Sequence, residues 1–250
     1  MIRRQVDLDE KQAFLTKVRT ALGRTEPLMY TPDHATLKLT LPRQQEKVRT
    51  VNAKAAARRS GLLSQFLDRA QEAGCNVHRG PSHGAAASLV ADIGRSLGTR
   101  RAVRTSHEVF KRIAIDSALR SARITPITLA SGRQRRRSDL WPIAVTAGLG
   151  ITGVDYVVAD TASCVILPRR GVSRIVSLAP PAIIVLVEES QVFGDLNDVL
   201  ALRRLDQMKT RGRNSITMTF ISGPSQTGDI EFSLTRGVHG PGKVYVILIG

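Results

Sequence analysis

Between residues 74 and 129 the chain changes period repeatedly, and that alternation restricts its fold more than any other feature. Residues 75–78, 101–105 and 124–129 are short runs with strand character, while 84–97 and 107–119 place apolar side chains at helical spacing. Strand, helix of about a dozen residues, strand is the pattern of a parallel α/β unit. Two later runs, 180–187 and 244–249, are apolar at nearly every position and have the length of strands buried on both faces. The expectation is an α/β domain around a mostly parallel central sheet.

The segments on either side fit that frame. Phe14, Leu15, Val18 and Leu22 give a helix over 9–22 that stops at Gly23. Pro27, Pro32 and Pro42 make 24–45 an arm or linker. The division is therefore a basic helical arm and linker over 1–45 and the α/β domain over 46–250. A single helix is expected over 46–73, ending at Gly74. Further strands are expected at 156–159, 164–167, 175–178 and 183–187, and a helix capped by Asp195 over 195–205. At 250 residues and 42% apolar, the chain can bury a full core.

Composition narrows the chemistry. The net charge of +16 divides into +7 over residues 1–60, +8 over 61–150 and +1 over 151–250. A basic first half could hold nucleic acid, although the densest run, Arg133 and Arg135–Arg137, has no interleaved aromatics and reads as a solvated loop. Two cysteines, Cys75 and Cys164, make neither a disulfide framework nor a metal cage, and an iron–sulfur cluster usually needs four thiolates. No cofactor or metal is expected on this chain alone. No apolar run approaches a bilayer span, and MIRRQVDLDEKQ has no apolar segment behind its arginines, so a cytoplasmic location is expected.

The polar candidates concentrate in residues 217–241, TMTFISGPSQTGDIEFSLTRGVHGP. An apolar run stops at Ser222-Gly223-Pro224-Ser225, where Gly frees the backbone and Pro removes a donor. Ser225 is placed to cap a short helix over 226–236 that carries Thr227, Asp229 and Glu231, with Gly237 as its stop. His239 then lies between Gly237, Gly240 and Pro241. Loops beyond the carboxyl ends of strands are where such sheets hold ligands. Hydroxyls and N–H groups of Ser222, Gly223 and Ser225 suit an anion, and an imidazole at His239 suits proton transfer or carboxylate binding. Each also has an ordinary structural reading: a helix cap, or a histidine bonded to Asp229. Asp160, with Thr161 and Ser163, follows an apolar run and is either a base, a ligand contact, or a turn former.

Gly150-Ile151-Thr152-Gly153-Val154-Asp155, the turn Asp160-Thr161-Ala162-Ser163, Val176-Ser177-Leu178-Ala179-Pro180-Pro181, and ISGPSQTGDIE followed by GVHGP resemble the LUD domain of LutC/YkgG-type lactate utilization proteins. The likeness covers roughly residues 140–250. It implies a three-layer α/β fold of the NagB/RpiA/CoA-transferase-like kind. It also implies work beside iron–sulfur proteins of the LutA/LutB type in oxidising L-lactate to pyruvate. The family turn reads Glu-Thr-Gly-Thr, so Asp160 is shorter in reach by about 1–1.5 Å, and Ala162 loses the ready access to positive φ that Gly has.

Three functions follow as expectations. The first is an accessory subunit of lactate utilization that binds a small carboxylate, a phosphorylated ligand or a partner in a polar cleft. Its catalytic candidates are Asp160, Asp229 and His239; its binding candidates are Thr161, Ser163, Ser222, Gly223, Ser225, Thr227 and Glu231. The second is a stand-alone enzyme of the CoA-transferase or sugar-phosphate-isomerase-like class acting on an acidic metabolite, by fold analogy. The third is nucleic-acid binding by the basic half.

Overall fold

The computed structural model describes residues 8–23, 38–130, 137–212, 215, 217–228 and 234–250. It divides into two units, 1–40 and 41–250, each taken by itself. The first holds helix α1 (Leu8–Ala21). The second opens with α2 (Leu41–Ala57), α3 (Arg59–Glu72), β1 (Asn76–Gly80), α4 (His83–Ser96) and β2 (Arg101–Arg104). Next come α5 (Ile115–Ser121), β3 (Thr125–Thr128), α6 (Arg137–Val145), β4 (Leu149–Gly153), β5 (Tyr156–Val158) and β6 (Ser163–Ile166). The remainder is α7 (Ile175–Leu178), β7 (Ala182–Glu188), β8 (Val192–Phe193), α8 (Leu196–Lys209), β9 (Thr219–Ile221), β10 (Gln226–Gly228), β11 (Leu234–Arg236) and β12 (Lys243–Ile249). No helix among the described residues is long and apolar enough to cross a membrane.

The two apolar runs become neighbouring strands at the middle of a six-stranded sheet of order β1-β12-β7-β4-β2-β3, parallel throughout. Their alternate residues serve opposite faces, as a period of two requires. Ile183, Val185 and Val187 join Val244, Val246 and Leu248 in a core with α2, α3 and α8. Ala182, Ile184, Leu186, Ile247 and Ile249 join a second core with α4 and α5. Burying each large aliphatic stabilises the fold by roughly 1.5–3 kcal/mol, so both faces must stay covered. The expected α/β architecture, layered around a mostly parallel sheet, is what forms. A smaller sheet, β8-β5-β6-β9, pairs β5 with β6 and β6 with β9 antiparallel and completes the first core.

Three local expectations are corrected. Residues 46–73 are not one helix: Arg58, at φ −108° and ψ 15°, separates α2 from α3. The break lets α2 pack along α8 while α3 packs on β1 and β8. The Arg59 guanidinium donates to the Glu189 and Val192 carbonyls at 2.6 and 2.8 Å, pinning the junction. Residues 175–178 form helix α7 rather than a strand; four apolar residues are too few for period to decide. Ser177 Oγ closes that turn on the Arg174 carbonyl, and Pro180 follows where a helix must have ended.

The third correction is to 226–236. The described residues are extended, not helical: β10 and β11 form an antiparallel ribbon with Thr227 opposite Thr235. Two β-branched residues facing across strands favour that pairing, and Gly228 would have cost the helix roughly 1 kcal/mol. Ser225 does not cap: its N–H donates to the Pro241 carbonyl at 2.8 Å and its carbonyl accepts from Gly237 at 2.9 Å.

Candidate functional site

Three corners from distant parts of the chain meet at the amino end of the six-stranded sheet. The turn between β5 and β6 holds Asp160, whose N–H donates to the Gly194 carbonyl at 3.1 Å. Ala162 sits at φ +50°, the left-handed backbone that Gly adopts freely. Its buried methyl group therefore occupies a position of some strain. The turn aims Ser163 at the loop after β9. Ser163 Oγ lies 2.7 Å from Ser222 Oγ and 2.8 Å from Thr161 Oγ1, so three hydroxyls form one chain.

Gly223 holds that loop against the end of α3. At φ +153°, a Cβ there would come 2.8 Å from the Ala73 carbonyl oxygen. Ser225 ties the same loop to 237–241 through its bonds to Gly237 and Pro241, and Gly242 N–H donates to the Pro181 carbonyl just ahead of β7. These anchors precede β1, β7 and β12. The assembly thus occupies the amino rim, not the carboxyl rim to which the sequence assigned it.

Of the candidate residues, Thr161, Ser163 and Ser222 come together, with Gly223 and Ser225 on the same loop. Thr227 lies on β10, half-buried. Asp160 and His239 are exposed, and neither hydrogen-bonds the hydroxyl chain. Asp229 and Glu231 lie outside the described residues. A serine becomes a nucleophile when a base takes its proton; among the described residues no imidazole or carboxylate bonds these three oxygens. What they offer is a string of donors and acceptors suited to a carboxylate or hydroxyl.

The carboxyl rim holds a buried polar cluster that the sequence reading passed over. Val109 N–H donates to His107 Nδ1 at 3.3 Å, which leaves the neutral ring's proton on Nε2. That nitrogen is buried without a hydrogen-bond partner, and Asp155 Oδ1 stands 3.7 Å away, beyond hydrogen-bonding reach. Asp155 accepts from Leu167 N–H at 2.7 Å and from Arg169 at 3.0 Å. Burial pushes the Asp155 carboxyl up; His107, the Leu167 N–H and Arg169 together outweigh it and hold the group below the usual carboxylate range. Thr105 and Thr152 hydroxyls meet at 3.2 Å beside it. Gly153 is required here, since a Cβ would come 2.3 Å from His107 Nδ1. A cleft of about 280 Å³ adjoins, lined by Asp155, Tyr156, Arg169, Arg203 and Asp206. The legible signal was the position of His107 and Asp155, each just beyond a strand.

Burial pushes the Cys75 thiol up to about 11 and raises Cys164 further, so both stay protonated near neutral pH.

Comparison with known proteins follows the same ground. The LUD domain family model matches residues 63–249. Lactate utilization protein C of Shouchella clausii is 34% identical over 123 residues, which is 49% of this chain and 52% of that protein. The protein of the same name from Halalkalibacterium halodurans is 34% identical over 131 residues, 48% of this chain and 56% of its own. The chain thus spans about half the length of the curated relatives it matches. A crystal structure of a DUF162 family protein from Deinococcus radiodurans superposes with a TM-score of 0.52 at 22% identity, covering 77% of this chain and 98% of that one. That likeness speaks for the fold.

Proposed function

This chain belongs to the LUD domain family, and we propose that it serves lactate utilization as an accessory subunit beside iron–sulfur proteins that oxidise L-lactate to pyruvate. The observation that carries the proposal is its kinship with proteins named lactate utilization protein C. Electron transfer falls to the partners on this reading. The chain has two cysteines, whereas a cluster usually takes four thiolates. Flavin or clusters on neighbouring chains would supply the redox chemistry.

The part assigned to this chain is binding. The chain of hydroxyls Thr161–Ser163–Ser222 can donate to a small carboxylate, with the Gly223 and Ser225 backbone fixing the loop that carries it. Asp160 precedes Thr161 in the same turn, and His239 lies on the segment that Ser225 anchors through Gly237 and Pro241; both are exposed and select the ligand on this reading. A cytoplasmic location accompanies the proposal.

Affinity purification of the tagged protein from lactate-grown cells tests it. Iron–sulfur proteins are expected to co-purify, and deletion is expected to abolish growth on L-lactate while sparing growth on pyruvate. Recovery of no iron–sulfur protein, together with normal growth on lactate, contradicts the proposal.

A further inference from the structure

A cavity of about 1010 Å³ opens on the amino rim, with Gly237 and Gly242 in its lining and none of the three hydroxyl residues. Its walls come from the starts of β2, β7 and β12, from the segments before β2 and β4, and from the end of β11. Arg100, Arg101, Arg236 and Lys243 line it, and among the described lining residues none is Asp or Glu. All four cations are exposed, and among the described residues none has a carboxylate partner. Leu97, Pro181 and Ala182 add an apolar wall.

Two helices end at this rim, α4 just before Leu97 and α6 just before Thr146. Their carboxyl ends attract cations, which is a structural reason for basic residues here. The magnitudes do not balance. Each helix end carries roughly −0.5 of a charge, about −1 in total against four positive side chains. An excess of about three charges is left facing the cavity. Exposed to water, these like charges repel one another only weakly, and a multiply charged anion supplies them with partners.

We infer that this cavity binds an organic di- or triphosphate of nucleotide size. The four cations would take the phosphates, and Leu97, Pro181 and Ala182 the organic portion. The volume is at the upper end of pockets for drug-sized ligands, which run to about 1,000 Å³, and far exceeds what a small hydroxy acid fills. Phosphate oxygens are matched by arginine's planar fork, of which three are present.

Calorimetric titration of the full chain with ADP, inorganic pyrophosphate and L-lactate at about 50 and 200 mM salt decides the matter, because exposed charge pairs are screened over that range. ADP is expected to bind at least tenfold tighter than pyrophosphate, with both weakening as salt rises. The double variant Arg101→Gln/Lys243→Gln is expected to weaken ADP at least tenfold, while Lys54→Gln on α2 changes nothing. No binding of ADP at millimolar concentration overturns the inference, as does equal weakening by Lys54→Gln. Pyrophosphate binding as tightly as ADP overturns the organic portion. Ser163→Ala is expected to leave ADP binding intact, so failure here and failure of the hydroxyl site are distinguishable.

Discussion

The two ends of the same parallel sheet treat charge in opposite ways. At the carboxyl rim each of three arginines meets a carboxylate: Arg104 with Asp116 at 2.6 Å, Arg112 with Glu188 at 2.5 Å, and Arg169 with Asp155 at 2.9 Å. At the amino rim four cations surround a cavity with no acid among its described lining residues. Paired groups at the first rim fix loops to strand ends. At the second, the four cations have no carboxylate partner among the described residues and are available to a ligand. A ligand-first reading of α/β sheets points to carboxyl ends, and here charge accounting points to the other rim.

The largest effect that would break this contrast is steric. Gly153→Ala is expected to destabilise the fold by about 3 kcal/mol, since its Cβ would meet buried His107. Denaturant unfolding checks it, and a loss under 1 kcal/mol removes the tight packing claimed for the carboxyl rim.

Next is Asp155→Asn, expected to cost roughly 2–3 kcal/mol, because Arg169 and the Leu167 N–H lose a charged acceptor. The pH dependence follows from the direction of the shift. A carboxyl held below its unfolded value contributes stability that is complete above that value, near 4, and is lost as pH falls through the folded one. Stability of the wild type is expected to drop below about pH 4, more steeply than that of Asp155→Asn.

Smaller is Ser163→Ala, expected to cost about 1 kcal/mol for a half-buried hydroxyl bond. Smallest is Arg101→Gln/Lys243→Gln in the absence of anions, expected within ±0.5 kcal/mol of the wild type, as for other exposed substitutions. A loss beyond 2 kcal/mol would mean that the amino rim, too, is structural.

Much of the fold was legible because its signals are local and repeated. Strands β7 and β12 are apolar at nearly every position, and Asp195 caps α8 as expected, accepting from Asp198 N–H at 3.0 Å. Where the reading failed, distant partners outvoted local signals. Ser225 looks like a cap until Pro241 and Gly237 claim its backbone. Four apolar residues at 175–178 carry no period that separates strand from helix. For the site, the approach of Ser163 to Ser222 spans 59 residues and could only be guessed from a resemblance. Ala162 is the sharper case: the left-handed backbone is visible at φ +50° although the residue that normally permits it is absent. The cationic cavity left no motif, since its members come from separate segments of the chain.

The contrast between the rims is tested most directly by thermal unfolding of three proteins with and without millimolar ADP. The account expects Asp155→Asn to melt lower than the wild type yet keep its upward shift with ADP. It expects Arg101→Gln/Lys243→Gln to melt with the wild type and lose that shift. The reverse assignment, with the shift lost in Asp155→Asn and kept in the double variant, would contradict it.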